Sequence, residues 1–169
     1  MTVIFSKKCE LAIQAVLYLS VKNSDQFYNA KVIARELQVP KEFVAKVLQK
    51  LVNAGIVGSR RGKHGGFFLA KSPSKITLLD IVETIDGLEV FEKCVLGFPG
   101  CHPENPCPVH EKWGYLREET IKMLSNQNLE ELKPTTEEKI SSIQKNTIQK
   151  SKRKKRKPKT TSKIKKLNI

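Results

Sequence analysis

From residue 29 to residue 70 the chain carries two short helical patterns, a turn and a glycine-rich hairpin in direct succession, and few folds accommodate that order. In NAKVIAREL, Asn29 is a natural N-cap, and Val32, Ile33 and Leu37 fall on one face. QVP breaks the pattern, and Pro40 is tolerated at a cap or first turn. KEFVAKVLQKLVNAG then places Val44, Val47, Leu48 and Leu51 on one face and ends at Gly55, a C-terminal stop. Two helices joined in this way match a helix-turn-helix, whose second helix enters the major groove. The face of that helix turned from the core offers Lys41, Glu42, Phe43, Lys46 and Lys50.

Any two amphipathic helices joined by a turn show that much, so the following segment decides. IVGSR and GFFLA are apolar-bearing runs separated by RGKHG, where Gly62, Gly65 and Gly66 permit the positive φ angles of a hairpin tip. This is a two-stranded wing, and Arg60, Arg61 and Lys63, with His64, are placed on it to reach phosphates or a minor groove. Lysines on an exposed helix ordinarily serve only solubility; a basic wing directly after them favours DNA. A helix over Lys7 to Val21 precedes the unit with Leu11, Ala12, Ala15, Val16 and Leu19 inward. TLLDIVETIDG follows it, with Thr77 as N-cap, Asp80 as its capping-box partner and Gly87 as terminator. The predicted fold class is mainly α with a small β wing, a winged helix-turn-helix domain over residues 1–90.

Residues 91–110 belong to neither helix nor strand. CVLGFPGCHPENPCPVH holds Cys94, Cys101, Cys107 and two histidines, punctuated by Gly97, Gly100 and prolines at 99, 103, 106 and 108. Thiolates and imidazole on one curled loop can close around one centre. No secretory signal precedes the chain's first helix and no run reaches the roughly 20 apolar residues of a membrane span. The expected compartment is the reducing cytoplasm, with no membrane association, and there such a set serves ligand or redox chemistry in preference to disulfides. Zinc is the other reading, although it usually takes a close C-x2-C pair that this loop lacks.

Beyond the loop, Trp113, Leu116, Thr120 and Leu124 recur at helical spacing, predicting a long helix over 111–132 that buries its stripe against its own chain or a second copy. The chain's formal charge of +14 sits mostly at its end: twelve of the 31 basic residues, and no acidic one, lie between 145 and 169. The remainder, 19 bases against 17 acids, is nearly neutral. Residues 133–169 are therefore expected to be a disordered basic tail adding nonspecific attraction to polyanions.

The wing SRRGKHGGFFLA and the cysteine triplet, in this order and spacing, resemble the IscR and NsrR type of bacterial winged-helix regulators, the Rrf-two family. The resemblance covers roughly residues 1 to 132. It implies a homodimer that binds an operator in double-stranded DNA, probing the groove with residues 41–46 and with Arg61 of the wing. The long helix becomes its dimerisation helix. It further implies that Cys94-x6-Cys101-x5-Cys107 holds an iron-sulfur cluster, [2Fe-2S] or [4Fe-4S], and that the chain is a transcription regulator, a repressor by expectation, rather than an enzyme.

Two residues resemble the family's fourth ligand. His110 matches the histidine of IscR-like members; Glu10, on the first helix, matches the acidic residue that crosses the dimer in NsrR-like members. Glu10 is the preferred expectation, because His110 follows Pro108 at a helix start, where it can cap or face solvent. Cys9 beside it reads as a small buried hydrophobe. Two rivals stand against a regulator that senses iron-sulfur status, redox state or nitric oxide through such a cluster: a zinc-stabilised DNA-binding module, and an electron carrier. The second is disfavoured because no nucleotide fingerprint or second cysteine set accompanies the first.

Overall fold

The computed structural model describes residues 4–22 and 26–156. Helix α1 (Lys7–Ser20) runs through the middle of the core, packed by α3, α4 and α6. Its Leu11, Ala12, Ala15, Val16 and Leu19 are all buried, as their spacing requires. Ser6 caps it by accepting from the Cys9 amide at 3.1 Å, and Ser6 is itself held by Asp86, to which its amide donates at 2.7 Å.

Helices α2 (Ala30–Leu37) and α3 (Lys41–Asn53) form the helix-turn-helix. Asn29 caps α2 through the Val32 amide at 2.9 Å. Gln38 closes the helix in the left-handed region, φ 58°, and Pro40 opens α3. Val44, Val47, Leu48 and Leu51 line the buried face of α3. Truncating Leu48 or Leu51, both fully buried, costs about 2–5 kcal/mol of stability.

Strands β1 (Val57–Arg60) and β2 (Gly66–Leu69) pair antiparallel, from Val57 opposite Leu69 to Arg60 opposite Gly66. The Tyr28 backbone adds a bridge by exchanging both hydrogen bonds with Phe67, at 2.9 and 3.0 Å. That approach explains Gly66: a Cβ there would meet the Tyr28 backbone at 2.6 Å. The wing is thereby fixed against the segment leading into α2.

Helix α4 (Leu78–Asp86) begins with the predicted capping box of Thr77 and Asp80. It ends at Gly87, whose φ of 79° and ψ of 166° lie in a region open essentially to glycine alone. One 3-10 turn, Leu88–Phe91, follows and buries Phe91 edge-on to Phe5. Helix α5 (His110–Asn126) packs on α4.

The chain past residue 110 departs from expectation twice. The single helix over 111–132 is two, because the Asn128 side chain accepts from the amides of Glu130 and Glu131 at 3.0 and 3.1 Å and so starts a new helix. That helix, α6 (Leu129–Arg156), occupies much of the stretch expected to be a disordered tail. Leu129 and Ile140 are buried, and α6 packs on α1 and α2. Anchors eleven residues apart suffice to dock a helix whose other positions are polar, which charge counting overlooks. Residues 157–169 lie outside the described residues. Among those described, no helix is long and apolar enough to cross a membrane.

Candidate metal centre and DNA-binding surface

Gly87 redirects the chain from α4 into the cysteine loop, and two bonds fix the loop's ends. The Trp113 indole donates to the Lys93 carbonyl at 3.0 Å, tying α5 to the residue before Cys94. The His110 amide donates to the Cys107 carbonyl at 3.0 Å, so the last cysteine joins directly to the start of α5. Between them the backbone turns at Cys94–Gly97 and again at His102–Asn105.

These turns bring together residues separated by five and six others. The sulfurs of Cys94, Cys101 and Cys107 all lie within 4.8 Å of one another, and those of Cys94 and Cys107 are 3.6 Å apart. None is in a disulfide, and each is half-buried. His110 joins them, its Nδ1 being 3.2 Å from the Cys101 sulfur. Three clustered thiols, with an imidazole against one of them, form a donor set suited to soft metals: an iron-sulfur cluster, zinc or cuprous copper.

The three thiols are not equivalent. Desolvation works against ionisation of Cys94, but the backbone N–H groups of Phe98 and Leu96 and the thiols of Cys107 and Cys101 outweigh it and hold its pKa below the ordinary thiol value. At Cys107 the Val109 N–H favours the thiolate; desolvation and the neighbouring Cys94 and Cys101 sulfurs prevail and raise its pKa. Of these two, Cys94 is the readier to ionise.

Glu10 and Cys9 stand apart from this set within the chain. The Glu10 carboxylate takes the Lys7 ammonium at 2.7 Å with one oxygen. Its other oxygen is buried with no hydrogen-bond partner among the described residues, at a groove it shares with Leu11, Val39, Phe43 and Val47. Cys9 is fully buried, and burial, with help from Asp86 and Glu10, pushes its thiol up to about 12. It is a core side chain.

Lys41, Glu42, Phe43 and Lys46 are exposed together on α3, Phe43 as much as 56%. Lys50 differs from expectation: its Nζ donates to the Ile85 carbonyl at 2.8 Å, capping the end of α4 instead of extending with the others. Its position on the helix marks it as surface, and only the tertiary neighbour reveals the bond. Arg61, Lys63 and His64 are exposed at the wing tip. Arg60 lies over the Phe27 ring, 5.2 Å from its centroid, which braces the wing at its root. A cavity of about 460 Å³ between loop and body is lined by Leu79, Leu88, Phe91, Cys101, His110 and Ile121, so the candidate metal site and α4 share a wall.

Comparison with known proteins agrees with this architecture. Residues 5–135 match the Rrf2 family, described as iron-dependent transcriptional regulators. A relative from Aquifex aeolicus, named as an HTH-type transcriptional regulator, is 40% identical over 116 residues, covering 68% of this chain and 80% of that one. The HTH-type transcriptional regulator NsrR of Oceanobacillus iheyensis is 30% identical over 103 residues, 56% of this chain and 69% of its own. Among solved structures, CymR, the global cysteine regulator of B. subtilis, superposes with a TM-score of 0.65 at 26% identity, over 78% of this chain and 96% of that one. With its winged helix-turn-helix and the match over residues 5–135, this chain belongs to the Rrf2 family of DNA-binding transcriptional regulators, which are not enzymes.

Proposed function

We propose that this regulator senses iron-sulfur status, redox state or nitric oxide through an iron-sulfur cluster held by Cys94, Cys101 and Cys107, with His110 as the fourth ligand. The observation that carries the reading is the clustering of three free sulfurs, with the His110 imidazole against that of Cys101, in a member of a family described as iron-dependent transcriptional regulators. The same four donors suit zinc; the family's description and the lack of a C-x2-C pair favour iron. When bound, the cluster supplies a labile, oxidisable centre. His110 replaces Glu10 as the preferred ligand because it needs no second chain to reach the sulfurs.

On the DNA side, Lys41, Glu42, Phe43 and Lys46 face the major groove and Arg61 and Lys63 the backbone or minor groove. The protein acts in the cytoplasm as a homodimer whose contact uses α5. Tyr115, Leu116 and Met123 leave more than half of their surface exposed on that helix, an apolar face that a second copy would cover. Half-sites one helical turn apart then require a fixed distance between the two α3 helices.

The chain's own bonds give the loop a route to that distance. His110 starts α5, and Trp113 ties α5 to Lys93. The loop descends from α4, whose last residues hold both α1, through Asp86 and Ser6, and α3, through Ile85 and Lys50. Ordering the loop therefore bears on the seating of α3. The test is to select duplexes from random sequence separately with cluster-loaded and stripped protein, then titrate each with both forms anaerobically at one salt concentration. An affinity difference of about 5- to 150-fold is expected. Equal affinities of the two forms for every selected duplex contradict the sensing role.

A further inference from the structure

We infer that the basic end of α6 is a second DNA-contacting element, anchored beside the helix-turn-helix so that it lies along phosphates flanking the bases read by α3. The family match ends at residue 135, before the basic run begins at Lys145. This role of α6 rests on the reading of α3 as the groove helix.

Two hydrogen bonds fix where the element begins. The Gln144 amide donates to the Glu36 carboxylate at 2.6 Å, and the Gln38 amide donates to the Ile143 carbonyl at 3.3 Å. Both partners lie at the end of α2 and in the turn before α3; Gln38 is three residues from Lys41. Because the first residues of a recognition helix approach the bases, this turn is the DNA-proximal end of the domain.

The sequence changes character at that same place. Leu132, Ile140 and Ile143 line the groove between α6 and the body, and from Lys145 the charge run begins. No acidic residue follows Glu138. The helix continues to Arg156, and at about 1.5 Å per residue the stretch from Lys145 spans about 18 Å, or half a turn of duplex. It carries Lys145, Lys150, Lys152, Arg153, Lys154, Lys155 and Arg156. From Lys145 to Arg156 the sequence has one apolar residue, Ile148, too few to form the apolar face that a membrane-surface helix inserts. A polyanion that needs charge alone, already held next door, is the DNA backbone.

The test uses the full chain with Lys152, Arg153, Lys154, Lys155 and Arg156 all changed to Gln. Affinity for a 30-base-pair random-sequence duplex is measured by fluorescence anisotropy at several salt concentrations. Counterion release predicts that the slope of log K against log salt shrinks by roughly 0.9 for each phosphate no longer neutralised, about 2 to 4 in total. Hydroxyl-radical footprints on a selected operator should lose protection at flanking phosphates while the central protection persists. A second variant, Gln38→Ala with Gln144→Ala, keeps every charge; it should retain the slope and blur the flanking footprint.

An unchanged slope in the charge variant overturns the inference, as does a reduced slope with an intact flanking footprint. Loss of binding to single-stranded RNA or to anionic vesicles, with duplex binding unaltered, also overturns it. Arg61→Ala separates this failure from failure of the DNA-facing surface: if that variant weakens binding and the charge variant does not, only the α6 element is wrong.

Discussion

The ammonium of Lys50 on the recognition helix donates to the carbonyl oxygen of Ile85 at the end of α4, 2.8 Å away and 35 residues along the chain. A cation is favourable at a helix C-terminus, where carbonyls lack intrahelical partners. The bond joins the second helix of the helix-turn-helix to the helix that precedes the cysteine loop. On the proposed function, it is the place where loop and DNA surface can be uncoupled without changing a cysteine or the exposed side chains of Lys41, Phe43 and Lys46.

Lys50→Met should cost about 1 kcal/mol in urea unfolding, since the bond is charge-assisted but partly solvated. It should leave the cluster intact while shrinking the affinity difference between loaded and stripped forms. Lys46→Ala, on the exposed side of the same helix, should do the reverse: stability unchanged and DNA affinity lowered for both forms. Identical effects from the two variants would remove Lys50 from the coupling route.

Gly87→Ala should destabilise the fold by about 1–3 kcal/mol, because its φ of 79° with ψ of 166° is closed to other residues and an added Cβ would meet the Glu89 carboxylate. The strain falls at the exit to the loop, so metal content should fall with it. Wild-type stability by thermal melting and wild-type metal content would contradict this.

Alkylation of the metal-free native protein, followed by mass spectrometry, should modify Cys94, Cys101 and Cys107 and spare Cys9. The thiolate is the reactive species. The Cys9 thiol, raised to about 12 by burial, stays protonated throughout the range from about pH 7 to 9. Cys94, with its pKa lowered by backbone N–H groups, should react before Cys107. Labelling of Cys9 at the loop's rate, before denaturant is added, would contradict the packing of α1.

Arg61→Ala should weaken operator binding by about 1–3 kcal/mol and leave the cluster's spectrum unaltered, since the wing tip is exposed and distant in sequence from the loop. A salt-controlled titration showing no loss would take Arg61 out of the interface.

Where the sequence signal was a local period or cap, the structure repeats it: the α1 face, the Asn29 cap, the Thr77–Asp80 box and the two strands of the wing all follow from neighbours a few residues apart. The features that escaped depend on long-range approach. Lys50 needed Ile85, and α6 needed α1 and α2 to cover Leu129 and Ile140. The stripe read on α5 is rotated for a similar reason: Leu124 is buried, but Leu116 is 55% exposed because α4 covers only one side of the helix. For the candidate metal site, spacing alone pointed to the three cysteines, whereas the approach of His110 to Cys101 depends on how the loop closes.

What the loop holds decides whether this regulator is a sensor, and one measurement addresses it directly: the visible absorption of protein purified without oxygen, with iron, acid-labile sulfide and zinc assayed on the same sample. A brown protein containing iron and sulfide is predicted, its colour lost in Cys94→Ala and altered in His110→Ala but unaltered in Glu10→Ala. A colourless protein with one zinc per chain would contradict the cluster, and an unaltered spectrum in His110→Ala would contradict the fourth ligand.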